Sequence, residues 1–283
     1  MVDDVNSMRI VDMDFRFDYF ITYNWTISRE MCNLYLKRME AAKPDHQHGT
    51  LDTGDLLLVT GENIKFFWTP DTFEMDVKKV ESTSASSKNQ HIKINIAANS
   101  CHFKLEQRLA AIVACYYDFR RLPLDIQTCR FKLRSQSYPS SLVKYIWIKP
   151  GVRRGINRPL LMNNYIVSFN WTSENMTVFN DEVFSVVEVI FRLERRVANF
   201  VITTFAPTVI IVFVAYSSFW ISVDSGPGRF LLTVLTLLSI VTQFSGLRGT
   251  LPPVSYITVS TSLSLSLLIS DLESRLNYKK YLI

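Results

Sequence analysis

A chain of 283 residues can hold one or two domains, and a composition that is 48% hydrophobic excludes an extended disordered polymer. The net charge of +5 points to no particular partner, because Lys and Arg are scattered mostly through residues 1–196 without a basic block beyond Arg-Arg pairs; nucleic-acid binding is unsupported. No nucleophile or phosphate-loop motif occurs, and His46, His48, His91 and His102 lack zinc-ligand spacing with the cysteines, so neither an enzyme nor a cofactor or metal is expected.

Met1 is followed by Val-Asp-Asp-Val-Asn-Ser, without the basic start and apolar run of a signal peptide; the expectation is that a signal has been removed or that the start is incomplete. Residues 13–21, 91–96, 109–114 and 183–193 alternate apolar with polar side chains, separated by turns containing Pro, Gly, Ser and Asn. This pattern, with no long helical periodicity, predicts an antiparallel β-sandwich over residues 1–196. Asn24-Trp25-Thr26, Asn170-Trp171-Thr172 and Asn175-Met176-Thr177 are glycosylation sequons, and Cys115 and Cys129 enclose a short loop as a candidate disulfide. Together they place this half in an oxidising, extracellular space.

Residues 197–223 contain no Asp, Glu, Lys, Arg or His, a run longer than the roughly 20 residues that cross a bilayer. A buried helix of a large soluble domain is the alternative at this length. Two more uncharged stretches follow, 230–247 and 249–270, separated only by Arg248. Residues 197–283 are therefore expected to be a membrane domain, with helices at about 198–222, 227–247 and 254–270. With residues 1–196 outside, residues 222–229 fall inside, Arg248 outside, and Arg275, Lys279 and Lys280 inside, which agrees with the positive-inside tendency apart from Arg248. In the second span Leu231, Leu235, Leu238, Thr242 and Ser245 recur on one helical face. Read alone, a leucine stripe of this spacing is more often a packing face. In the third, Ser-Leu alternation has period two, yet a crossing strand without barrel partners would leave its backbone unsatisfied, so a helix is expected.

The loop CYYDFRRLPLDIQTC, joined to closely spaced membrane segments, resembles that of the Cys-loop pentameric ligand-gated ion channels. Met13-Asp14-Phe15-Arg16 with Trp25 downstream, Trp68-Thr69-Pro70-Asp71-Thr72-Phe73, Leu193-Glu194-Arg195, Pro207, Ser218-Phe219-Trp220-Ile221, Pro227-Gly228-Arg229, Thr242-Gln243, Ser245-Gly246 and Leu251-Pro252-Pro253-Val254-Ser255-Tyr256 continue the likeness in order, over about residues 9–257. The resemblance is to the anion-selective, glycine/GABA-receptor-like branch, in an invertebrate-like and truncated form. It implies a β-sandwich extracellular domain followed by a transmembrane α-helical bundle with three of the usual four segments, the third atypical. It also implies a plasma-membrane, postsynaptic, multi-pass protein in a homo- or hetero-pentamer with related subunits, contacting membrane lipid, gated by a small-molecule neurotransmitter (amine or amino acid) and passing a permeant anion.

Residue by residue, the resemblance closes Cys115 to Cys129. Such a closure restricts the unfolded chain by roughly 3 kcal/mol, so a structural staple is the plain reading of this pair. The apolar tip Leu122-Pro123-Leu124 is then expected to press on residues 248–254, and Asp125 to pair with Arg195 as a surface ion pair that serves transmission. The face of Leu231, Leu235, Leu238, Thr242 and Ser245 would line the pore, with Leu238 at the gate and Leu231 and Leu235 where the family is polar or small. Pro227-Gly228-Arg229 offers the inner mouth a cation and no carboxylate immediately before it, which favours anions.

At the agonist site Phe179 and Phe184 match two aromatic positions of a mobile loop, Phe20 and Arg108 match the complementary face, Thr22 stands where a carboxylate-clamping arginine is usual, and Gln136 replaces an aromatic, with Tyr138 two residues on expected on the same strand face. For Phe20, buried sandwich packing is an equal alternative. The mobile loop has no cysteine, and Cys32 and Cys101 are expected to be buried free thiols. Two functions follow: a transmitter-gated, chloride-selective channel subunit, or a non-conducting truncated or regulatory subunit that assembles with full-length ones.

Overall fold

The computed structural model describes residues 1–41, 56–82, 91–155, 161–162, 164–217, 220–221 and 226–249. Among the described residues the first 196 positions hold eleven strands: β1 (Val2–Arg9), β2 (Asp14–Ser28), β3 (Leu56–Thr60), β4 (Thr72–Met75), β5 (Val77–Ser82), β6 (His91–Ile96), β7 (Ser100–Ala114), β8 (Ile126–Ser135), β9 (Leu161–Met162), β10 (Tyr165–Phe179) and β11 (Glu182–Arg195). One sheet runs β1-β2-β7-β6-β3 with β5 also on β7, and the other runs β4-β8-β11-β10-β9. The β-sandwich expected from the alternating segments is present.

Alternation explains why the sheets stack. Phe15, Phe17 and Tyr19 of β2 and Phe131 of β8 with Phe191 of β11 project from successive inward positions and are all buried. Phe15 and Phe17 stack on each other, and the rings that meet across the two sheets do so edge-on or tilted, with Phe17 centred 4.8 Å from Phe191 and 5.1 Å from Phe131. A second core, built on Ile92, Ile94, Ile96, Phe103 and Leu105, lies under a helix that sequence reading missed, α1 (Arg29–Ala41). Cys32, Tyr35, Leu36 and Met39 of α1 recur at helical spacing and turn toward this core. Cys32 and Cys101 are not free thiols: they form a disulfide, their Cα atoms 6.2 Å apart. The error has a physical source. Only the folding of α1 onto β7 brings these two cysteines, separated by 69 positions, to bonding distance.

The chain then enters α2 (Val197–Phe200), one stretch of π-helix (Val201–Phe205) and α3 (Ala206–Ser217). Pro207 has no N–H, and its ring crowds the carbonyl one turn back; widening to π spacing just before it accommodates both effects. Among the described residues Val197–Ser217 is the one helix long and apolar enough to cross a membrane. Ile202, Ile210 and Phe213 are exposed on it, as suits a surrounding of hydrocarbon. Helix α4 (Gly226–Gly249) packs on α3 through buried Thr236 and Ile240, and Gln243 Nε2 donates to the Thr204 carbonyl of the π stretch at 3.0 Å. The expected third helix at 254–270, Asp224 and the 250–254 part of the expected loop contact lie outside the described residues.

Candidate functional site

The cysteine loop sits at the end of the sandwich from which the membrane helix departs. Cys115 is bonded to Cys129, with Cα atoms 5.3 Å apart. Inside the loop the Gln127 amide donates to the Asp118 carbonyl at 2.8 Å and to Asp125 Oδ2 at 2.7 Å, which fixes the carboxylate. Arg195, the last residue of β11, meets that carboxylate with two hydrogen bonds, Nε to Oδ1 at 2.5 Å and Nη2 to Oδ2 at 3.0 Å. The pair is no surface contact, as the sequence reading had it: 8% of the Arg195 side chain and 1% of the Asp125 side chain are exposed. Tyr165 and Phe200 roof it, with the guanidinium carbon 4.7 Å from the Tyr165 ring centre. Burial is the first cause that pushes the Tyr165 hydroxyl above its ordinary range.

The apolar tip also needs correction. Leu122 is buried in the sandwich core beside Tyr117 and Phe119, and Leu124 is the tip residue that stands exposed, joined by Ile126. Leucines two apart in an extended loop point opposite to expectation here because the chain turns between them, Leu124 N–H donating to the Arg121 carbonyl at 2.7 Å.

A second constellation occupies the outer face of the β4-β8-β11-β10-β9 sheet. The turn after β8 is held by Asp71, which accepts from Ser135 Oγ at 2.6 Å and from Ser137 N–H at 2.8 Å. Gln136 and Tyr138 therefore lie in a turn rather than on a strand, and the same-face expectation does not apply; Tyr138 turns toward Trp68, ring centres 6.2 Å apart. Strands β10 and β11 form a hairpin whose two-residue turn, Asn180-Asp181, has positive φ at both positions, suiting the side chains that tolerate that region. Phe179 and Phe184 flank this turn. Between them and Phe73 of β4 lies the Arg134 guanidinium, 4.6 Å from the ring centre of Phe184, 5.2 Å from Phe73 and 5.3 Å from Phe179. Arg134 is buried, donating to the Ser135 carbonyl at 2.9 Å.

Sequence reading missed Arg134. Arg130, Lys132 and Arg134 alternate identically along β8 and read as one solvated face; only rings arriving from β4, β10 and β11 bury the last.

Phe20, Thr22 and Arg108 belong to the other sheet. Phe20 pairs with Arg108 across β2 and β7, the guanidinium 5.2 Å above its ring, so Phe20 faces outward while Phe17, Tyr19 and Ile21 fill the sandwich. Arg108 also meets Asp3 at 2.9 Å. Phe20 and Thr22 line a cavity of about 590 Å³ with Tyr23, Trp25, Tyr145 and Trp147. Tyr19 Oη, on the same cavity, donates to Glu74 at 3.4 Å, and burial raises the Glu74 carboxyl above its usual range. The residues expected at the agonist site thus fall into two groups on two sheets.

On α4, Leu231, Leu235, Leu238, Thr242 and Ser245 are all exposed on the face turned away from α3. Pro227, Gly228 and Arg229 form its first turn, which holds no acidic residue. Asn24 and Asn170 are exposed; the side chains of Asn175 and Arg229 are outside the described set.

Two family models match the chain. The neurotransmitter-gated ion-channel ligand binding domain matches residues 2–197, and the neurotransmitter-gated ion-channel transmembrane region matches residues 204–259.

Proposed function

Because the chain belongs to the neurotransmitter-gated ion-channel family, a family of transmitter-gated pentameric channels rather than of enzymes, with extracellular ligand-binding domains, we propose that it is an anion-selective subunit. The observation that carries the selectivity is the start of α4: Pro227-Gly228-Arg229 puts a cationic residue at the mouth of the pore helix and no carboxylate in its first turn. Five copies of such a mouth form a positive ring, which concentrates anions and repels cations. The free face of α4 lines the pore, with Leu238 at the constriction. A transmitter draws the β10–β11 hairpin toward the neighbouring subunit, and the displacement passes through Asp125 and Arg195 into the first membrane helix. Asn24, Asn170 and Asn175 carry glycans on the extracellular side of a plasma membrane, in a postsynaptic setting.

Expression in oocytes with a related partner subunit, followed by reversal potentials in altered chloride, tests this. The reversal potential is expected to follow chloride, and one that follows sodium rejects the assignment. Leu231 and Leu235, both exposed beside Leu238, support a second reading, a non-conducting subunit that assembles with related subunits and lowers their surface number. An unchanged partner current and surface abundance on co-expression would rule that reading out.

A further inference from the structure

Three aromatic faces gathered round one point make a receptor for a cation, since each ring presents its negative face to the charge. In this chain the point is taken. We propose that Arg134 is the resident cation of the cage formed by Phe73, Phe179 and Phe184, and that it closes this face to free ammonium ligands. The inference rests on reading Phe179 and Phe184 as ligand-facing residues.

The three cations of the outer face of β8 differ in how they are satisfied. Arg130 is 59% exposed and pairs with Glu188; Lys132 pairs with Asp76 at 3.6 Å. Arg134 pairs with no carboxylate among the described residues, and only 8% of it is exposed. A long side chain on a flexible stem could keep its head in water, so an arginine held this deep must be compensated where it lies. The compensation comes from three strands. Phe73 is its direct cross-strand neighbour on β4, Phe184 stands two residues from its β11 neighbour Val186, and Phe179 precedes the hairpin turn.

An ammonium ligand would need the same ring faces, of which Phe73 and Phe179 stay 42% and 55% exposed, and would enter beside a like charge that is itself almost closed to water. The wild-type cage therefore excludes amines, and loss of the guanidinium leaves a vacant aromatic site for a small cation.

Titration of the detergent-solubilised full chain with tetramethylammonium chloride, followed by saturation-transfer NMR of the probe's methyl protons, tests this. The wild type is expected to give no saturable signal. Arg134→Ala is expected to gain saturable binding, at least about tenfold stronger, which Arg134→Ala with Phe184→Ala loses again. Arg134→Lys keeps a cation and is expected to behave as wild type. Arg134→Gln, which keeps a donor for the Ser135 carbonyl, replaces the alanine variant if that variant does not fold. Equal binding to the wild type, a gain that survives Phe184→Ala, or no gain in a folded neutral variant overturns the proposal. The wider ligand-site reading fails separately, through an agonist response that Phe184→Ala leaves unchanged, because the probe titration requires no gating.

Discussion

Asp125 is held by three donated hydrogen bonds, two from Arg195 and one from Gln127, in a site almost closed to water. Removing one partner of such a pair leaves a buried charge without compensation, which costs about 3–5 kcal/mol. Asp125→Asn and Arg195→Ala are each expected to lower the unfolding midpoint of the solubilised protein and to suppress agonist-evoked current. The double variant should cost less than the sum of the two, because the stranded charge is gone. Thermal unfolding of the three variants checks this, and singles that unfold like wild type would remove the pair from the account. The two residues were legible in the sequence from the family's motifs, but their burial was not. Nothing in Leu-Pro-Leu-Asp says that Leu122 turns inward and that Tyr165 and Phe200 lie over the guanidinium that meets the carboxylate.

At the scale of elements, the strands were legible because period-two alternation is dictated by the two-sided environment of each sheet, and β2 and β6 show it plainly, whereas β11 buries six consecutive residues, 184–189. Helix α1 was not, since its apolar stripe is short and lies between strands. Its disulfide to β7 is a consequence of packing across the sheet. That bond closes a long stretch of chain, which restricts the unfolded state by about 4 kcal/mol. Cys32→Ser with Cys101→Ser is therefore expected to lower the denaturation midpoint of the head with no change in ion selectivity; an unchanged midpoint would count against the bond.

The leucine face of α4 was legible as a stripe, and the structure adds that Thr236 and Ile240, not the leucines, pack on α3. If that face lines the pore, Leu235→Thr shortens the dry segment and raises agonist-evoked current several-fold in co-expression with a related partner. An unchanged current would return the stripe to lipid or packing.

Across the whole molecule, the division between a charged β head and an apolar helical part follows from composition alone, and the family models span both. The cage of Phe73, Phe179, Phe184 and Arg134 was only half visible, because it is assembled from β4, β8 and the β10–β11 hairpin, which lie well apart in sequence, and register decides which cation of β8 it encloses. The start of α4, Pro227-Gly228-Arg229, is local in sequence, so its residue types could be read there directly. It also has room for change: a Cβ at Gly228 meets nothing within 4 Å, so a side chain can start there without a steric penalty at its first atom, and Gly228→Glu tests a carboxylate at this position.

The most direct test of the anion assignment is the reversal potential of agonist-evoked current in oocytes expressing a related partner with either this chain or Gly228→Glu. With the wild-type chain, lowering external chloride is expected to shift the potential by roughly 59 mV per tenfold change, the slope for a single charge, and Gly228→Glu is expected to reduce that shift. A wild-type potential that ignores chloride and follows sodium would contradict the account.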